Sequence, residues 1–104
     1  MPTNLESSDA LQEALKSENL VVINCHAVWN GPSRLFAPKF VHFAREYPQV
    51  GFYMLNVDEV SNVAAELGVR AMPTFYFFRN GEKVGEVIGA NPAAVKAAID
   101  KYHA

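Results

Sequence analysis

Hydrophobic residues in this sequence repeat with two different periods, and the switches between them mark out strands and helices. Thr3 to Glu6 has the character of a short edge strand. Ser7 or Ser8 can cap a helix over Asp9–Lys16, with Leu11 and Leu15 one turn apart on a single face. Asp9 falls in its first turn, where negative charge suits the helix dipole. Leu20-Val21-Val22-Ile23-Asn24-Cys25 is a nearly unbroken apolar run, the pattern of a central strand covered on both faces. Trp29-Asn30-Gly31-Pro32-Ser33 predicts a turn, followed by a helix from about Arg34 to Glu46. Leu35, Phe36, Phe40, Phe43 and Ala44 are its expected buried face. Pro38 lies inside this helix and is expected to kink it, because proline lacks a backbone donor.

Val50 to Val57 predicts a second long strand. Asp58 and Glu59 are placed to cap and begin a third helix, which covers Ser61–Leu67 and stops at Gly68. Thr74 to Phe78 is a strand dense in aromatic rings. Asn80-Gly81 is the strongest short signal for a two-residue hairpin, and Lys83–Ile88 is the returning strand. Asn91 caps a last helix, with Pro92 at its first position and Ala93–Tyr102 as its body. The order β-α-β-α-β-α-β-β-α predicts an α/β fold. Its sheet is mixed, since a tight hairpin makes the final two strands antiparallel. One domain over residues 1–104 accounts for the length.

Composition narrows the function classes. Half of the residues are hydrophobic and 19% are charged, which supports one packed core and argues against disorder. The net charge is −2 and no basic stripe stands out, so nucleic acid and anionic membrane are not expected partners. No apolar run approaches the roughly 20 residues that span a bilayer. Met1 to Asn19 lacks the apolar core of a signal peptide. The single cysteine, Cys25, forms no internal disulfide and suits a reducing compartment, so a cytoplasmic location is expected. No His, Cys and carboxylate set stands at ligand spacing, and neither metal nor cofactor is expected.

Four segments carry a specific pattern. They are Val21-Val22-Ile23-Asn24 leading into Ala27-Val28-Trp29-Asn30-Gly31-Pro32-Ser33; Ala37-Pro38-Lys39-Phe40; Val69-Arg70-Ala71-Met72-Pro73-Thr74-Phe75; and Phe78-Arg79-Asn80-Gly81 running on to Gly89-Ala90. In order, spacing and element type, over essentially the whole chain, they resemble the thioredoxin family. The last two segments look most like eukaryotic, fungal-type cytosolic thioredoxins. The resemblance implies a thioredoxin fold, with a central mixed sheet, helices on both faces and a cis peptide before Pro73. It also implies a partner groove lined by Trp29, Gly31, Pro32, Met72, Pro73 and Gly89.

The family motif is Trp-Cys-Gly-Pro-Cys at the mouth of a helix. A helix N-terminus favours a thiolate, and a second thiol one turn on resolves the mixed disulfide. The matching positions here are Asn30 and Ser33. An amide is no nucleophile, a serine hydroxyl does not exchange with a disulfide, and no general base stands beside it in sequence. Either residue can instead cap the helix. The family's buried acid falls on Asn24, and its usual charged neighbour on Met54. That neutral pair avoids leaving one charge buried alone.

Several residues admit a plainer role beside a functional one. Trp29 is either an anchor flanking the groove or a cap over the sheet edge. The Met72 backbone can pair with an extended partner segment, or cis Pro73 can simply turn the chain into its strand. Cys25 reads as a relocated thiol or, better suited to a central strand, as a small buried apolar residue. His26 is a base or ligand near Ser33, or a filler beside the motif. Lys39, Arg45 and Lys96 read as solvated helix faces.

Three functions follow. The first is a redox-inactive module that binds a protein or an extended peptide through the groove. The second is an accessory subunit supporting a larger enzyme. The third is the disabled form of a protein-disulfide reductase, which alone would engage a thioredoxin reductase. Drift at Asn24, Cys25, His26 and Met54 suits natural divergence, whereas Ser33 by itself suits an engineered change.

Overall fold

Val21 through Cys25 are buried at every position, which only a strand covered on both faces achieves. The computed structural model describes residues 2–103. In chain order it has β1 (Thr3–Asn4), α1 (Ser8–Ala14), β2 (Val21–His26), α2 (Gly31–Glu46), β3 (Gly51–Asn56), α3 (Ser61–Leu67), β4 (Thr74–Arg79), β5 (Glu82–Ile88) and α4 (Pro92–His103). The five strands form one sheet in the order β1-β3-β2-β4-β5. β3 is parallel to both β1 and β2. β4 is antiparallel to β2 and β5. The predicted mixed sheet and element order are therefore both present.

Alternation along β2 splits the core in two. Val21, Ile23 and Cys25 join Leu11 and Ala14 of α1 and Val63 and Ala64 of α3. Leu20 and Val22 join Phe36, Phe40 and Phe43 of α2 and Val95 and Ile99 of α4. The second layer is dominated by rings, with the Phe36 and Phe75 centroids 4.6 Å apart and Phe40 edge-on to Phe52 at 5.3 Å. Burying one such ring contributes about 2–3 kcal/mol. Asn80, at φ 53, and Gly81 turn β4 into β5 as the Asn-Gly pair predicts. A register shift between Phe77 and Phe78 leaves Val84 without a partner in β4.

Three local expectations are corrected. α2 starts at Gly31 rather than Arg34, because Asn30 already serves as its N-cap and proline is tolerated in a first turn. Leu35 is 82% exposed, since Phe36, Phe40 and Phe43 set the buried arc and Leu35 points away from it. Asp58 and Glu59 do not cap α3: its N-cap is Val60, with no side-chain bond, and Asn56 Oδ1 takes the Asp58 and Glu59 amide protons instead. The ends of β1 and α1 also fall short of the predicted Glu6 and Lys16.

Candidate functional site

The antiparallel pairing of β2 with β4, and of β4 with β5, brings three loops to one end of the sheet. Cys25 stands opposite Thr74, and Thr74 opposite Ile88. The chain beyond β2, the segment before β4 and the segment after β5 therefore meet there. The Met72–Pro73 peptide is cis, and the Gly89 amide donates to the Pro73 carbonyl at 2.8 Å. Gly89 has φ +102, a conformation that other residues rarely adopt. Of the residues expected to line a groove, Met72, Pro73 and Gly89 are thus tied together. Gly31 and Pro32 fill the first turn of α2 at the same end, and a side chain added at Gly31 would meet nothing within 4 Å.

Asn30 and Ser33 meet in a direct hydrogen bond. The Ser33 amide donates to Asn30 Oδ1 at 2.8 Å, which makes Asn30 a regular N-cap. That bond occupies a free amide that would otherwise stabilise an anion at this helix mouth. Ser33 is buried, and among the described residues its hydroxyl accepts a single long contact, 3.5 Å, from the Ala27 amide. The expectation that either residue caps the helix resolves to Asn30. Among the described residues no hydrogen bond joins Ser33 to His26, so nothing there draws a proton from the hydroxyl.

Trp29 lies beside this turn with 60% of its surface exposed. Its indole N–H donates to Asp58 Oδ2 at 2.7 Å. Sequence reasoning missed this partner, because the two residues stand 29 positions apart and nothing local links them. An Asx-turn signal at Asn56 was available, an amide side chain able to accept from the backbone N–H two residues on.

Asn24 and Cys25 are neighbours with opposite surroundings. Cys25 faces the α1 and α3 layer, away from Ser33, and burial pushes its thiol pKa up to about 12. It stays protonated and unreactive at physiological pH. Asn24 is fully buried on the other face, beside Met54 in register, and among the described residues neither its Oδ1 nor its Nδ2 has a hydrogen-bond partner. An orphaned buried polar group costs about 1–3 kcal/mol. A mainly apolar hollow of about 190 Å³ lies close by, between His26, Val28, Ser33, Ala37 and Met54. His26 is half-buried; burial lowers its pKa, against the opposing pull of Glu59. Among the described residues no three His, Cys, Asp or Glu side chains are placed to hold a metal ion. No helix among them is long and apolar enough to cross a membrane.

Comparison with known proteins places these features in context. The thioredoxin family model matches residues 3–101. Thioredoxin-1 of Saccharomyces cerevisiae is 43% identical over 99 residues, covering 95% of this chain and 96% of its own. Bovine thioredoxin is 44% identical over 103 residues, covering 97% and 98%. The crystal structure of Malassezia sympodialis thioredoxin superposes with a TM-score of 0.94 at 39% identity, over all of this chain and 92% of that one.

Proposed function

This chain belongs to the thioredoxin family, whose members are disulfide reductases, and on that premise we propose that it has kept the partner groove and given up the disulfide chemistry. One observation carries the proposal. The two positions of the reacting thiols hold Asn30 and Ser33, bonded to each other in a closed cap. The chain's single thiol is buried on the far face of the sheet. Disulfide exchange needs an accessible thiolate, and neither position offers one.

Trp29, Gly31, Pro32, Met72, Pro73 and Gly89 make up the proposed groove. An extended protein segment would lie across it, pairing with the Met72 backbone and resting on the Trp29 ring. Such binding is noncovalent and reversible, because no mixed disulfide traps the partner. The protein works in the cytoplasm in this reading, as a binding module or as the accessory subunit of a larger enzyme.

Insulin reduction by the purified chain tests the central claim. The chain as it stands should show no turnover above background, and turnover like that of an ordinary thioredoxin would refute the proposal. The double variant Asn30→Cys, Ser33→Cys distinguishes two histories. Weak turnover that rises when Asn24→Asp is added marks long divergence. Full turnover from the two cysteines alone marks a recently disabled reductase, and a thioredoxin reductase then becomes the expected partner.

A further inference from the structure

The three parallel strands end side by side, and their ends surround a cavity of about 420 Å³. Asn4 closes β1, Asn56 closes β3 and His26 closes β2; all three line it. The chain leaves β1 and β3 for α1 and α3, which pack on one face of the sheet. It leaves β2 for α2, which packs on the other. The cavity thus lies where neighbouring connections part to opposite faces, the place where parallel sheets gather ligands. Its volume is that of a small-molecule site, within the usual range of roughly 300–1,000 Å³.

The wall has a definite chemistry. Leu5, Val28, Met54 and Val60 are its apolar lining. Glu6 and Glu59 are its carboxylates, both exposed, and among the described residues no lysine or arginine lines it. With its pKa lowered by burial, the His26 ring is neutral near pH 7 and keeps one nitrogen as an acceptor. Carboxylates beside an apolar wall suit a cation that carries an apolar stem.

We propose that this cavity binds an alkylammonium group, its charged nitrogen held by Glu6 and Glu59 and its apolar stem lying on Leu5, Met54 and Val60. The group can come from a free amine or from a lysine side chain of another protein. The cavity shares no residue with the groove proposed above, so the two proposals stand or fall separately.

Amide NMR titration of the ¹⁵N-labelled chain tests this with three probes. They are n-hexylamine, 1-hexanol as an uncharged probe of equal stem length, and lysine blocked at its α-amino and carboxyl groups. Hexylamine should shift the amides of residues 4–6, 26–28 and 54–60, with an apparent affinity about fivefold above that of hexanol. The variant Glu6→Gln, Glu59→Gln should bind the amine no better than the alcohol. Both glutamates are exposed, so this variant should keep the parent thermal midpoint. Either cationic probe meeting these conditions supports the site, hexylamine alone indicating a free amine and blocked lysine a protein side chain. Equal response to amine and alcohol, unchanged binding by the variant, or no shifts at the named residues would overturn it.

Discussion

At the start of α2, Asn30 accepts a hydrogen bond from the Ser33 amide at 2.8 Å; at the start of α4, Asn91 accepts one from the Ala94 amide at 3.1 Å. Each helix carries a proline in its first turn, Pro32 in one and Pro92 in the other. The caps are the same device, and what lies behind them differs. α4 begins on open surface and needs nothing more. α2 begins over the buried Ser33, at the end of the sheet where Asn24 holds an amide without a hydrogen-bond partner among the described residues. The mouth of α2 is closed by its cap as that of α4 is, and among the described residues the polar side chain behind it has no hydrogen-bond partner.

Three measurements can break or sharpen that likeness. Asn24→Leu, which keeps the branched four-atom skeleton, removes both orphaned atoms and should raise unfolding free energy by about 1–3 kcal/mol in a denaturant melt. A loss of stability would mean that the amide has a use the fold does not reveal. Asn30→Ala and Asn91→Ala should each cost about 1 kcal/mol, and by similar amounts, if both residues only cap. A loss at Asn30 several times that at Asn91 would show that the two starts are not equivalent.

The smallest effect concerns His26, which stands just ahead of the α2 start and has no counterpart at α4. Its pKa in the folded chain lies below the ordinary 6.5, so the unfolded chain takes up the proton more readily. Its contribution to stability is whole above pH 6.5 and is lost as the pH falls through the window below that value. The thermal midpoint should drop between about pH 7.5 and about pH 5.5, and His26→Gln should flatten that drop. An identical slope in the variant would remove His26 from the account.

The alternation of strand and helix was legible because each element obeys a single period. The α4 cap and the β4–β5 hairpin were equally plain, since both signals lie within a few residues. The mouth of α2 was harder to place. Gly31 and Pro32 look like loop residues, yet a first turn accepts both once Asn30 supplies the cap. Leu35 misled because hydrophobic character does not by itself assign a face, and the three phenylalanines had already fixed the arc. In the site, the absence of thiols at 30 and 33 was visible at once. The Trp29 to Asp58 bond and the cavity at the strand ends were not. Both are made by residues far apart in sequence that only the folded sheet brings together.

β5 is the longer free margin of the sheet, seven residues against two in β1. Such a margin can template strands from other molecules and extend into a ribbon. Val84 breaks the even spacing a newcomer would need, and Glu82, Lys83 and Glu86 set charges along the same rim. Concentrated solutions of this protein should therefore resist fibril growth from that side, a protection written into one misplaced valine and three charged neighbours.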